Sequence, residues 1–306
     1  MVMQASGGAS WSPDPESGIT IDFVEAGELT FEVAKMEPAQ GDGDHLAILL
    51  HGFPELHFSW RHQIPVLAEM GYRVWAPNMR GYGGTSRPEG VAAYTLDKLV
   101  NDVAELIDAS GAKKVTLLCH DWGGIVGWSF AIRAPRKLER FVAMNIPHPK
   151  ALERVATSKS QRRKSWYVLA FQIPWLPETV LRMGGAKRIG AILKNTSCKP
   201  ENFGPEVTRV YREAASRPGA TRAMVNYYRA LMRDRGAYTN THGRVEVPTL
   251  MVWGDQDVAL DVRGTEGTEE WVPDFALKRL PQASHWVQQD EPGEVNAILK
   301  QWLPKV

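Results

Sequence analysis

The stretch Val115-Thr-Leu-Leu-Cys-His-Asp121-Trp-Gly-Gly124 constrains the fold of this chain more than any other. It opens as an apolar, β-branched run long enough for a buried parallel strand. It turns sharply at His120-Asp121-Trp122, then passes through Gly123-Gly124 into an apolar helical pattern carried by Ile125, Val126, Trp128 and Phe130. A strand that breaks through a tight turn into a helix predicts a nucleophile elbow, where a strained turn lifts one side chain above the sheet. In the G-x-S-x-G form of that turn the raised side chain is serine. Here it is Asp121.

The rest of the chain is arranged to suit such an elbow. Residues 1–18, rich in Ser, Gly and Pro, predict a mobile lead-in. Ile19 to Glu25 and Leu29 to Met36 predict an antiparallel hairpin at a sheet edge. His45 to Leu50 is a continuous apolar run, expected as a buried strand, and a helix is expected from about Ser59 to Met70. Arg73 to Ala76 is the next strand, ahead of the glycine-rich loop Arg80-Gly-Tyr-Gly-Gly-Thr-Ser86. That loop lacks the Gly-Lys-Ser/Thr ending of a phosphate loop. Thr95 is placed to cap a helix to Ser110, with Leu96, Leu99, Val103, Leu106 and Ile107 on one face. After the elbow, Leu138 to Asn145 predicts a further strand. Strands and helices alternating at this spacing predict a parallel, doubly wound α/β sheet.

The rhythm then stops. Between Pro149 and Tyr238 the residues predict only helices, rich in Arg, Trp, Tyr and Pro. It resumes with strands at Thr249–Trp253 and Phe275–Leu280 and a helix from Pro292 to Trp302. The expected organisation is a core over 19–148 and 239–306, with a helical cap over 149–238. An insertion at the carboxyl ends of the strands would roof the place where open sheets bind ligands.

Composition narrows the options. The chain has 306 residues, 43% hydrophobic and 23% charged, with a formal net charge of +1, enough for a large core. So even a balance gives no reason to expect nucleic acid or an anionic membrane as partner. Two cysteines far apart, Cys119 and Cys198, make a disulfide framework improbable and a reducing cytosol the default location. No apolar run reaches the length of a membrane span, so stable membrane insertion is not expected. Eleven tryptophans fit either core packing or an apolar substrate pocket.

Three residues with chemistry to offer follow three separate strands: Asp121 in the elbow, Asp257 in Gly254-Asp-Gln-Asp257, and His285 in Ala283-Ser-His-Trp286. Each alone has an ordinary explanation, as a helix cap, a loop carboxylate and a core or surface histidine. Together they occur in the chain order nucleophile, acid, histidine found in triads of this architecture. Asp255 is a rival for the acid, but the Gly-x-x-Asp spacing favours Asp257. His51-Gly-Phe-Pro54, also after a strand, is placed to aim the Phe53 amide at the elbow. With the amide of Trp122 it would form a two-donor oxyanion hole.

These residues resemble the α/β-hydrolase superfamily and, within it, the epoxide hydrolases. The resemblance rests on His51-Gly-Phe-Pro-Glu55, Arg80-Gly-Tyr-Gly-Gly84, His120-Asp-Trp-Gly-Gly124, Gly254-Asp-Gln-Asp257 and Ser284-His285, and runs from about Ile19 to the end. Two motifs of the insertion sharpen it. Tyr167-Val-Leu-Ala-Phe-Gln172 is similar to the Tyr-x-x-x-Phe-Gln of epoxide-hydrolase lids. Asn226-Tyr-Tyr-Arg229 is similar to their Asn-Trp-Tyr-Arg, with Tyr228 as the second lid tyrosine and Tyr227 in the Trp slot. Cys119 and Asn78 stand where the family usually has Gly and Asp.

The resemblance implies an epoxide hydrolase in which Asp121 attacks carbon, Tyr167 and Tyr228 protonate the leaving oxygen, and His285 with Asp257 activates water. Phe53, Trp122, Tyr167, Tyr228 and Trp286 are expected to line the pocket of a small apolar epoxide. No metal or cofactor is needed, and a monomer or homodimer is expected. Haloalkane dehalogenases share Asp121-Trp122, so dehalogenation is the alternative, with Trp166 or Trp175 standing in for the halide-binding Asn that Phe53 replaces. A non-catalytic receptor of the same fold is a third reading, although its usual sign, a broken triad, is missing here.

Overall fold

In the computed structural model, which describes residues 8–234, 236–239 and 241–306, eight strands form one sheet. They are β1 (Thr20–Ala26), β2 (Leu29–Met36), β3 (His45–Leu50), β4 (Arg73–Pro77), β5 (Lys114–His120), β6 (Arg140–Met144), β7 (Thr249–Gly254) and β8 (Phe275–Leu280). Their spatial order is β1-β2-β4-β3-β5-β6-β7-β8. β2 is antiparallel to both its neighbours, and every other pairing is parallel. The expected hairpin is therefore at the edge, and the mostly parallel α/β sheet is as the strand–helix rhythm predicts.

The helices of the core are α1 (Ile64–Glu69), α2 (Leu96–Ser110) and α3 (Asp121–Arg133). Between β6 and β7 come α4 (Pro149–Ala156), α5 (Lys159–Lys164), α6 (Trp166–Ala170), α7 (Leu176–Thr196), α8 (Pro205–Ser216), α9 (Ala220–Arg233) and α10 (Gly236–Thr239). The chain closes with α11 (Val287–Asp290) and α12 (Pro292–Trp302). Alternation along β3 explains how the layers form. Leu46, Ile48 and Leu50 face a cluster with Leu99, Val103, Val126 and Phe130 of α2 and α3. Ala47 and Leu49 face the opposite cluster with Ile64, Leu67, Val295 and Leu299 of α1 and α12. A strand buried on both faces must be apolar throughout, which is why β3, β5 and β7 read as continuous runs.

Three local expectations change. The helix expected over 59–70 is a 3-10 turn at His57–Trp60 followed by the short α1. Pro65 is the reason: it lacks an amide hydrogen and restricts the residue before it, so it suits only the first turn of a helix. Thr95 precedes α2 in an extended conformation, but its side chain makes no capping bond. Residues 1–7 of the expected mobile lead-in lie outside the described residues. Within its remainder, Ser10 and Trp11 are held against the core: the Ser10 hydroxyl donates to Glu32 at 2.9 Å, and the Trp11 ring lies 5.0 Å from that of Phe58.

β5 lies where the chain reverses its direction of growth across the sheet, β3 leading to β4 on one side and β5 to β6 on the other. Ligands bind at such a switch point in open α/β sheets, outside the carboxyl ends of the strands. Asp121 follows β5 directly, and the α4–α10 insertion roofs that edge.

Candidate active site

The elbow is built by close approach. Asp121 has φ +48°, a left-handed conformation that is costly for a residue with a Cβ, about 1–3 kcal/mol. Gly123 follows because a Cβ there would stand 2.3 Å from the Leu50 carbonyl oxygen. Its amide donates to the His51 carbonyl (3.0 Å), which ties the turn to the end of β3. Gly52 is required from the other side, since a Cβ there would stand 2.5 Å from the Asp121 Cβ.

Cys119, the unusual residue of the turn, points into the core. Its thiol donates to the Val142 carbonyl (3.3 Å), and burial pushes its pKa well up. Space for the sulfur comes from Gly127 in α3, where a Cβ would lie 2.7 Å from the Cys119 Sγ. The larger residue in the strand is thus matched by the absence of a side chain in the helix above it.

The acid, base and carboxylate expected from the sequence converge. Asp121 Oδ2 lies 3.5 Å from His285 Nε2, and His285 Nδ1 bonds Asp257 Oδ2 at 2.7 Å. All three side chains are buried. Asp255, the rival acid, is instead held by Arg279 (2.8 Å). The Phe53 amide donates to Asp121 Oδ1 at 2.7 Å, while the Trp122 amide, in the first turn of α3, has no acceptor within the helix.

Electrostatics lock this set into one charge state. Burial alone would raise Asp121 and Asp257, but contact with His285 outweighs it and both lie below the usual aspartate range. Burial alone would lower His285, yet the two carboxylates raise it well above an ordinary histidine. A buried charge needs partners of this kind to persist.

Three residues without a catalytic role in the sequence reading hold the site in position. Asn145, just past β6, donates to Asp257 Oδ2 (2.7 Å) and accepts from the Gly254 amide (2.8 Å). Ala259 and Leu260 amides take the other Asp257 oxygen at 2.7 and 2.8 Å. His120 bonds Glu55 Oε2 through Nδ1 (2.6 Å) and the His285 carbonyl through Nε2 (2.8 Å). Glu55 is held below the usual glutamate range: burial opposes this, and the His120 charge and hydrogen bond overcome it. Its other oxygen accepts from Gln288 and Gln289 (2.9 and 2.8 Å). His120 therefore ties the elbow, the His51 turn and the His285 loop together. The signal for Asn145 was available in its position, a polar residue directly beyond a buried strand. Glu55 and His120 stand in motifs that the sequence shows, but their pairing does not, because it joins the ends of two strands that only the fold brings together.

Asn78 also has a physical reason. Its amide donates to Glu32 Oε2 (2.8 Å), a buried carboxylate with a pKa of about 2, and an aspartate there would set two anions together.

The roof supplies aromatic rings. Tyr228 is buried, its ring 5.0 Å from that of Trp122 and 5.3 Å from that of Phe53. Tyr167 is half-buried, 5.8 Å from Tyr228. Burial and then nearby charge, Asp121 among it, push both phenols up, so both keep their protons. Tyr227 points elsewhere and donates to the Arg80 carbonyl (2.7 Å), tying the lid to the core. Trp286 packs 4.9 Å from the His285 ring, and its indole donates to Thr196 of α7 (2.9 Å).

The tryptophans considered as halide donors are not so placed. Trp166 is 67% and Trp175 76% exposed, so neither indole is enclosed with Asp121. A cavity of about 550 Å³ between the α6–α7 turn, α9 and residues 87–94 is lined by none of the three triad residues. Among the described residues, no group of three or more His, Cys, Asp or Glu could hold a metal ion.

Comparison with known proteins agrees with this geometry. Residues 48–292 match a family model described as the alpha/beta hydrolase fold. The chain is 36% identical over 297 residues to Epoxide hydrolase 2 of Caenorhabditis elegans, covering 95% of this chain and 82% of that protein. It is 34% identical over 294 residues to human Epoxide hydrolase 4, covering 94% and 76%. Among solved structures, the epoxide hydrolase of Bacillus megaterium in complex with an inhibitor superposes with a TM-score of 0.83 at 27% identity, covering 92% of this chain and 99% of that one.

Proposed function

The chain belongs to the α/β-hydrolase family, in its epoxide-hydrolase branch, and as a hydrolase acting on epoxides we propose that it makes a vicinal diol through an ester on Asp121. The observation that carries this reading is the pair of protonated phenols, Tyr167 and Tyr228, in the roof above an ionised carboxylate. A carboxylate needs no base to attack carbon, but the alkoxide it displaces is strongly basic and needs a proton. A halide would need none.

In the first half-reaction Asp121 Oδ2, the oxygen facing His285, bonds to an epoxide carbon. The ring C–O bond breaks, and its oxygen takes a proton from one phenol. Oδ1 is left as the ester carbonyl oxygen against the Phe53 amide. Alkylation removes the charge of Asp121, one of the two carboxylates that hold a proton on His285. The histidine therefore becomes a stronger acid at the moment when a base is needed. In the second half-reaction His285, oriented by Asp257, takes a proton from water as the water oxygen attacks the ester carbonyl carbon. The developing oxyanion rests on the Phe53 and Trp122 amides, and removing one such donor typically costs ~10²–10³ in rate. Collapse breaks the ester C–O bond, and the leaving alkoxide takes the remaining water proton from the Asp121 carboxyl to complete the diol. The proton that His285 gave up on alkylation returns to the phenolate, so Asp121, His285 and the phenol are all restored.

The buried aromatic surroundings support a small apolar epoxide as substrate. The test is a parallel assay of diol formation and halide release on small epoxide and haloalkane panels. Diol alone is expected, with activity falling by more than about 10⁴-fold in Asp121→Asn. Halide release without diol would favour dehalogenation, and no turnover of either panel would favour a receptor.

A further inference from the structure

The outer face of the lid carries a feature that the chemistry does not use. Trp166, Leu169, Ile173, Trp175, Leu176 and Met183 are all exposed, and all fall within one segment from α6 to the middle of α7. α6 is apolar on both sides. Tyr167 and Phe171 face the site and each other, ring centroids 5.7 Å apart, while Trp166 and Leu169 face outward. Scattered exposed apolar residues are ordinary, but a cluster with two largely exposed tryptophans is not.

The same segment is strongly cationic. Residues 159–194 contain eight Lys or Arg and a single acid, Glu178, in a chain whose net charge is +1. Glu178 is already paired with Arg229 (2.5 Å). Lys159, Arg162 and Arg163 precede these apolar residues in sequence, Arg182, Lys187 and Arg188 lie at or beyond their far end, and all six are exposed. The cavity of about 550 Å³ opens beside Trp175 and adds Arg87, Arg222 and Arg233 to its lining, with Glu89 as one further acid.

We infer that this face of the lid docks reversibly on an anionic lipid surface, with Trp166, Trp175 and their apolar neighbours in the interfacial region and the flanking Lys and Arg against acidic headgroups. The charge pattern decides between occupants. A second copy of the chain would bring two cationic segments together across a symmetric contact, whereas an anionic bilayer complements both the charge and the exposed aromatics. The low net charge of the whole chain conceals this asymmetry, because the rest of the molecule carries compensating acids. Contact would be shallow, since no helix of the described residues is long and apolar enough to cross a membrane. The same α6 that carries Tyr167 would then meet the phase in which apolar epoxides dissolve.

The test is flotation of the full chain with phosphatidylcholine vesicles, with and without about one-third phosphatidylserine, at low and high salt and without substrate, so that it stands apart from the epoxide reading. Expected is binding to the anionic vesicles that weakens with salt. It should fall by more than about tenfold both in Trp166→Ala/Trp175→Ala and in Arg162→Glu/Arg163→Glu, while turnover of a water-soluble epoxide is kept. No binding to anionic vesicles at low salt overturns the inference. So does equal binding by wild type and both variants. A concentration-dependent dimer that the tryptophan variant dissolves, without vesicle binding, would assign the face to a second copy instead.

Discussion

The floor and the roof of the site are built by different physics. In the floor each reactive side chain is fixed by hydrogen bonds: Asp121 by the Phe53 amide, Asp257 by two amides and Asn145, and His285 by Asp257. The three residues come from loops after β5, β7 and β8, and the His120–Glu55 pair joins two of these edges. In the roof, Tyr167 and Tyr228 are positioned by ring edges against Phe53, Trp122 and Phe171 at 4.9–5.8 Å. Aromatic contacts are worth about 0.5–1.5 kcal/mol each beyond burial and tolerate sliding, whereas charged hydrogen bonds in a dry site do not. Asp121, the proposed nucleophile, is thus held by hydrogen bonds, while Tyr167 and Tyr228, the proposed proton donors, are held by contacts that allow adjustment.

Removing the roof's protons tests that division most severely. Tyr167→Phe combined with Tyr228→Phe should slow ester formation by about 10²–10⁴-fold, measured as pre-steady-state alkylation, and each single change should cost less because the other phenol can still donate. If the double variant opens epoxides at the wild-type rate, the proton comes from elsewhere.

In the floor, the fit of Cys119 against Gly127 is the point to break. Gly127→Ala should lower unfolding stability by about 1–3 kcal/mol in denaturant titration, and adding Cys119→Ala should recover part of that. Additive losses would show that the two positions do not share one space.

The pH dependence should show the smallest effect and separate floor from roof. Asp121 is held below the usual aspartate range, so it stays ionised as pH falls towards about 5. The phenols are pushed up, so they stay protonated as pH rises past the ordinary tyrosine value of about 10. The alkylation rate should therefore be level between these limits, while ester hydrolysis should rise with pH as His285 loses its proton. An alkaline fall in alkylation below about pH 10 would contradict the assignment of the phenols.

The sequence made some of this plain and hid the rest, for physical reasons. Strands buried on both faces must be apolar throughout, so β3, β5 and β7 were readable, and the residues directly after strand ends pointed to one edge of the sheet. The lid motifs brought Tyr167 and Tyr228, by resemblance, to a common place. What was hidden depends on distant partners. Glu55 and His120 form a pair only because the fold joins two loops, and Asn78 makes sense only beside Glu32. Cys119 looked anomalous until Gly127 was seen across from it. The basic stretch around Arg162 was legible in the sequence, but only as a solvated helix face; the fold adds that the segment with eight basic residues and one acid also exposes two tryptophans.

The central claim is that Asp121 forms an ester whose carbonyl carbon is attacked by water. A single turnover with enzyme in excess, in oxygen-18 water, reads this out directly. The account predicts label in the Asp121 carboxylate and none in the diol, because the diol carries one oxygen from the epoxide and one from Asp121. Label in the diol, with Asp121 unlabelled, would mean that water attacks the epoxide itself.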